Sequence, residues 1–217
     1  MEHAVITLYD YLPSQNAWKV RQLLHHLQQP HERVLVPIFE GGGQSEDFLR
    51  INPAGKVPAL RLEDGRTLAE SNAILCYLAD GTHYLPDDAF GRAKVIQWLS
   101  FEQENVESVI GGLRHWTMTG KLVRRSPELV EAKRRGALRT LALLDRELAQ
   151  RPFIAGDDYT VADIAIFAYG SRAEEAGLPL GPYPHMRAWI ERVQSQPRFL
   201  AETYPYSIDP HSVNELP

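Results

Sequence analysis

The stretch Asn52-Pro53-Ala54-Gly55-Lys56-Val57-Pro58-Ala59-Leu60 constrains this chain more than any other. Proline has no N–H to give to a sheet ladder, so a proline heading a short apolar run belongs at a strand's first residue or at an edge. X-Pro bonds are also where cis peptides occur, most often in tight turns. A cis bond before Pro58 turns the backbone of Val57 outward, where its N–H and C=O can pair with an extended peptide laid along the edge. Soon after, Leu68-Ala69-Glu70-Ser71-Asn72-Ala73-Ile74 reads as a strand end running into a helix. The first N–H groups of such a helix have no intrahelical partner and favour a carboxylate. Glu70 can hold an ammonium nearby. A peptide-like ligand carrying both an amine and a carboxylate fits this pair of features.

These residues carry a resemblance. N-P-x-G-K-V-P-A-L followed by L-x-E-S-x-A-I resembles the glutathione transferase family, whose ligand has that chemistry. Tyr11-Leu12-Pro13-Ser14-Gln15-Asn16-Ala17-Trp18-Lys19-Val20-Arg21 is similar to the first loop and helix of its serine-type, bacterial-type classes. Phe153-Ile154-Ala155-Gly156-Asp157-Asp158-Tyr159-Thr160-Val161-Ala162-Asp163 is similar to the capping segment of its second domain. The matches follow one another in family order from about Val5 to Phe199. The resemblance implies an α/β thioredoxin-like N-terminal domain that binds glutathione (1–80), a linker (81–88) and an all-helical C-terminal domain (89–217).

Hydrophobic periodicity gives the same division. Ala4–Tyr9 and Arg33–Ile38 read as strands, and Gln15–Leu27 between them carries Val20, Leu23, Leu24 and Leu27 at helical spacing. Ala59–Leu62 and Arg66–Leu68 flank Glu63-Asp64-Gly65, a hairpin signal. Ser71–Ala79 returns to helical spacing. Strand signals then vanish. Ala93, Ile96 and Leu99 begin a long helix that Gly111-Gly112 interrupts or ends. Ser126-Pro127 opens another, with the stripe Ala137, Leu141, Leu144 and Leu148. Met186, Trp189, Ile190 and Val193 form a further stripe. Thr160-Val161-Ala162-Asp163 matches a capping box with Asp for the commoner Glu, and Tyr159 and Ile164 suit the accompanying staple. The tail after Tyr204, with three prolines, reads as irregular.

Composition narrows the partners. The 217 residues have a formal net charge of −5, with no Lys/Arg block to suit nucleic acid. No apolar run is long enough for a membrane span. The start, Met1-Glu2-His3, lacks the basic and apolar parts of a secretory signal. The single cysteine, Cys76, rules out an intrachain disulfide, and a cytoplasmic location is the natural expectation. The histidines include His25-His26 but no H-x-x-x-H, and give a metal site no support. Cys76 lies inside a helix and reads as a small buried residue rather than a nucleophile.

Ser14 is the leading candidate to activate a thiol. It sits between the first strand and first helix, where a hydroxyl can donate to a sulfur near the positive helix end. It also matches the position the resemblance makes catalytic. An isolated serine there is by default a helix cap. Asn16 helps position the ligand or the Ser14 hydroxyl, or is a solvated first-turn residue. Tyr9 and Tyr11 rank below Ser14 as alternatives, and Tyr11 can line the pocket. By resemblance, Lys56 and Val57, in the Val57-Pro58 turn, bind the middle of glutathione, while Glu70 and Ser71 bind its γ-glutamyl end. One departure stands out. Some serine-type classes carry a basic pair before the second helix for the glycine end, whereas here the stretch is Gly41-Gly42-Gly43-Gln44-Ser45, where Gln44 can still donate a hydrogen bond but the cationic partner is missing. Arg114, His115, Trp116 and Met118 lie on the helix that, by resemblance, borders the electrophile pocket; packing is the equal alternative for Trp116 and Met118.

The resemblance implies a homodimeric glutathione transferase of detoxification type. It attacks small electrophiles with the glutathione thiolate and needs no cofactor beyond that co-substrate. Two alternatives stand beside it: a glutathione-dependent peroxidase, disulfide reductase or dehalogenase on the same site, and a non-catalytic binding or assembly module of the same fold.

Overall fold

The computed structural model describes residues 5–214. The chain divides into two compact units, one of Met1–Leu78 with Leu200–Pro217 and one of Ala79–Phe199.

The first unit holds a four-stranded sheet of order β2-β1-β3-β4. Its elements run β1 (Ile6–Asp10), α1 (Gln15–Leu27), β2 (His31–Leu35), α2 (Glu46–Ile51), β3 (Ala59–Arg61), β4 (Thr67–Ala69) and α3 (Ser71–Ala79). β1 and β2 are parallel because α1 carries the chain back between them. β3 pairs antiparallel with both β1 and β4. Leu8 faces Leu60, which faces Leu68, so one register places three leucines in a row across the sheet. Leu8 and Leu60 bury themselves against Val20 and Leu24 of α1 and Ile74 of α3. The neighbouring residues of the same strands point to the other face, where Ala59 packs with Val36 and Phe48 and Tyr9 lies alongside.

β2 ends earlier than its β-branched run suggests, because Pro37 cannot donate to a ladder and Ile38–Glu40 turns into a short 3-10 helix. Ala4, the expected start of β1, lies outside the described residues. The C-terminal segment departs from the boundary drawn at 89–217, since from Leu200 it groups with the first unit. Polar contacts explain why: Leu200 donates its N–H to Gln22 Oε1 at 2.7 Å, and its carbonyl accepts from Trp18 Nε1 at 3.2 Å. Tyr206–Ile208 forms a 3-10 turn rather than irregular chain.

The second unit is helical. It comprises α4 (Ala89–Phe101), a π-helical continuation (Glu102–Gly111), α5 (Gly112–Met118), α6 (Pro127–Leu148), α7 (Val161–Gly170) and α8 (Pro184–Gln194). Gly111-Gly112 neither ends nor breaks the first of these. Both residues are right-handed helical, and the rod runs on to Met118. Gly111 serves packing instead, because a Cβ there would come within 2.8 Å of the Tyr169 ring. The buried side of α4 is Val95, Trp98 and Leu99, while Ile96 is exposed. α6 starts as read, with Ser126 Oγ accepting from Leu129 N at 3.3 Å, and Ala137, Leu141, Leu144 and Leu148 are buried. Every residue of α7 is buried, and the capping box at its start is complete.

Candidate functional site

The loop from β1 to α1 is fixed before any ligand chemistry is considered. Asp10 closes β1 as a fully buried carboxylate. A buried charge is costly unless paired, and Arg21, in the second turn of α1, pairs with it at 2.5 Å. The same guanidinium donates to the Leu12 carbonyl at 3.0 Å. Arg21 therefore brackets the loop Tyr11-Leu12-Pro13 from behind. The loop closes with Ser14 N donating to Tyr11 O at 2.9 Å.

Ser14 is the cap of α1. Its backbone is extended, and its Oγ accepts from Ala17 N at 3.2 Å. Accepting that bond uses a lone pair and not the hydroxyl proton, which still has to be donated elsewhere. Tyr11 is differently placed. Its phenol donates to Asp209 Oδ2 at 2.8 Å. Burial first, and then Asp209, push its pKa far above the usual tyrosine value. Tyr9 faces the other side of the sheet, tilted against Phe48 with ring centroids 5.7 Å apart.

Three polar side chains meet where α1 and α3 begin. Ser71 Oγ donates to Asn16 Oδ1 at 3.3 Å and accepts from Lys19 Nζ at 3.5 Å. Ser71 is buried and Lys19 entirely so. Nothing in the helical pattern singles out Lys19, because a lysine on an amphipathic helix is normally solvated. Glu70, just ahead, is exposed and holds φ at +66°. That left-handed conformation is uncommon for a residue with a Cβ, and its carbonyl accepts the first helical bond of α3, from Ile74 N at 2.9 Å.

The Val57-Pro58 peptide is cis, as the turn chemistry suggests. Asn52, buried, clips the preceding loop: its Nδ2 donates to Lys56 O at 2.7 Å and its Oδ1 accepts from Ala54 N at 3.0 Å. Gly55 and Gly43 explain the spacing of the glycines. A Cβ on Gly43 would fall 2.3 Å from Gly55 O, and one on Gly55 would meet Gln44 Nε2 at 2.4 Å. The two loops thus interlock, with Gln44 lying against Gly55. Gln44 and Lys56 are both exposed.

The α5 residues are more committed. Arg114 is buried, and its Nε donates to Glu175 Oε2 at 2.5 Å. Trp116 has the Arg125 guanidinium and the Lys133 ammonium 5.0 and 5.3 Å from its ring centre. Burial lowers the pKa of Lys133. His115 is half-buried and Met118 exposed. Cys76 is half-buried on α3. No group of three His, Cys, Asp or Glu side chains able to hold a metal ion occurs among the described residues. No helix among them is long and apolar enough to cross a membrane.

A mixed β2-β1-β3-β4 sheet with a cis proline opening β3, a capped α1 beside it and an all-helical second unit define one class of protein. Residues 13–80 match the family model for the glutathione S-transferase N-terminal domain, and residues 127–192 match that for its C-terminal domain. A glutathione S-transferase from Pseudomonas fluorescens Pf-5 has the same fold with a TM-score of 0.87 and 38% identity, over 90% of this chain and 98% of its own. The disulfide-bond oxidoreductase YfcG of Escherichia coli K12 is 28% identical over 89% of this chain and 92% of its own length. A glutathione transferase family member from Pseudomonas fluorescens Pf-5, solved with two glutathione molecules bound, superposes with a TM-score of 0.78 at 28% identity, over 91% of this chain and 92% of its own. The chain belongs to the glutathione S-transferase family.

Proposed function

We propose that the chain binds glutathione in its first unit and activates the thiol for attack on a small electrophile, working as a cytoplasmic homodimer. The observation that carries this reading is Ser14: a cap whose oxygen accepts from Ala17 N while its proton is still to be donated. A sulfur at the N-terminus of α1 receives that proton's hydrogen bond and the positive end of the helix together. A free thiol of pKa about 8.5 is only about 3% ionised at neutral pH, and lowering that value by about two units takes roughly 2.7 kcal/mol of preferential stabilisation. In this reading Val57 pairs with the cysteinyl backbone, Lys56 and Gln44 flank the middle and glycine end, and Glu70 holds the ligand's ammonium. Ser71, with Asn16 beside it, takes the γ-glutamyl carboxylate. Tyr11 is committed to Asp209 and is set aside as the activating group. Arg114 is committed to Glu175 and is set aside as an electrophile contact.

A second reading, thiol–disulfide exchange, draws support from the relative named for that activity and from the neighbour with two glutathione molecules. There the same thiolate attacks a disulfide sulfur and expels the other sulfur as a thiolate, so the activation step is shared.

The test is Ser14→Ala, assayed with glutathione against aryl halides, hydroperoxides, enals and mixed disulfides. We expect turnover at pH 7 to fall about threefold to twenty-five-fold, as the thiolate fraction drops when the bound thiol's pKa rises by about one to two units. Glutathione should still bind, and activity should partly recover as pH rises. The bound ligand's thiolate absorbance, followed against pH, reads the shift directly. A titration left in place by Ser14→Ala but moved by Tyr11→Phe would transfer the role to the tyrosine. Binding without turnover of any substrate would leave the non-catalytic module.

A further inference from the structure

Beside the Ser14 loop lies a cavity of about 430 Å³ within the first unit. Its walls are apolar, built by Leu12, Val36, Ile208 and Pro210 among others, and two carboxylates, Glu40 and Asp209, stand among them. No lysine or arginine lines it. Cavities of this size hold small organic molecules, and a few placed polar groups then decide which ones.

We propose that this cavity receives the second substrate, and that Asp209, held by Tyr11, makes it select neutral or cationic aromatic electrophiles against anionic ones. The inference rests on the glutathione reading above. Three observations carry it. Tyr11-Leu12-Pro13, which line the cavity, lead directly into Ser14, and the Ser14 N to Tyr11 O bond makes wall and cap one turn. Asp209 is held in a fixed orientation: Oδ2 accepts from Tyr11 OH at 2.8 Å and Oδ1 from His211 N at 2.8 Å. Both donors are neutral, so neither brings a positive charge to the carboxylate. Glu40 adds a second negative charge, and His211 Nε2, 3.8 Å from Glu40 Oε1, offsets it only when protonated. Between low-dielectric walls a like charge on an incoming ring is repelled far more than in open water. The tail thus acts as a charge filter on the substrate, although it lies nearly two hundred residues from Tyr11 in sequence.

The experiment needs binding, not turnover. Calorimetry compares glutathione, S-benzylglutathione, S-(4-carboxybenzyl)glutathione and S-(4-aminomethylbenzyl)glutathione. The wild-type chain should bind the carboxybenzyl conjugate at least tenfold more weakly than the benzyl one, and the aminomethyl conjugate at least as tightly as the benzyl. In Asp209→Asn the carboxybenzyl-to-benzyl ratio should shrink at least threefold, whereas in Tyr11→Phe, which keeps the charge, most of the ratio should persist. Glu40→Gln, an exposed position, supplies an independent reduction should Asp209→Asn fold poorly. Equal affinity for the three conjugates, or a ratio that neither charge-removing variant moves, overturns the proposal while leaving glutathione binding intact. Failure of glutathione itself to bind overturns the glutathione reading and the proposal together.

Discussion

Several helices of this chain start from a hydroxyl cap, and two of these caps, at α7 and at α1, differ in how completely their oxygens are engaged. At α7, Asp163 is fully buried and accepts four bonds: from Ile154 N at 2.8 Å, Trp189 Nε1 at 2.9 Å, Thr160 N at 3.0 Å and Thr160 Oγ1 at 3.2 Å. Thr160 Oγ1 in turn accepts from Ala162 N at 3.3 Å. Its proton and every carboxylate oxygen have partners inside the protein. At α1, Ser14 is half-buried and accepts a single bond. The first arrangement ties three segments into one core; the second keeps a donor at a positively polarised helix end. Equivalent local chemistry is architecture in one place and, in the function proposed above, a reactive position in the other.

The largest test of this contrast is Asp163→Ala. It orphans two buried backbone N–H groups and an indole N–H, each costing about 1–3 kcal/mol when left unsatisfied. We expect a stability loss of about 3 kcal/mol or more by urea unfolding, with glutathione affinity of the folded fraction retained. Ser14→Ala, measured the same way, should lose no more than about 1 kcal/mol, the scale of an ordinary cap. Comparable losses in the two variants would erase the distinction.

A pH series sharpens it. Burial raises the Asp163 pKa from 3.8 to about 6 against the pull of its four donors. A carboxyl whose folded pKa exceeds its unfolded value binds its proton more tightly when folded, so its contribution is greatest below about pH 4, declines as pH rises, and levels off above about pH 6. A shift of about two units corresponds to about 3 kcal/mol. Subtracting the stability of Asp163→Asn from that of the wild type at each pH isolates this slope. A difference that is flat, or rises, between pH 4 and 6 would show the donors outweighing burial.

The smallest effect concerns Glu70, whose φ of +66° sets it against its own Cβ. Strain of this kind costs on the order of 1 kcal/mol and collects at functional positions. Glycine adopts that conformation freely but loses more chain entropy on folding. Glu70→Gly should therefore leave stability level or raise it by up to about 1 kcal/mol, while weakening glutathione binding, as calorimetry would read. A clear loss of stability would make Glu70 structural, like Asp163.

Most of the fold was legible because it rests on short-range rules. Ser71–Ala79 is a helix as its spacing indicates, the Ser126-Pro127 start holds, and the Thr160–Asp163 box forms. Gly111-Gly112 misled for a physical reason: glycine's backbone freedom suggests a break, whereas here its missing side chain admits the Tyr169 ring. The turn of Val57-Pro58 and the cap of Ser14 could be read from their neighbours. Lys19, Arg21 and Asp209 could not. Lys19 looks like any solvated helix lysine until Ser71 is found beside it, and Arg21 looks like surface charge until Asp10 is found buried. Asp209 sits in a proline-rich tail whose partner, Tyr11, is distant in sequence. These are long-range pairings, and periodicity carries no information about them.

The return of the C-terminal segment to the first unit has a consequence for how the chain is made. Trp18, Gln22 and Tyr11 all have partners at or beyond Leu200. On a ribosome, where chains emerge from the N-terminus, the sheet and α1 are complete long before that segment is synthesised, and the whole helical unit is made in between. The first unit therefore spends the interval with one flank of α1 uncovered and Tyr11 without Asp209 as its acceptor, and that flank closes only once the segment from Leu200 onward has emerged.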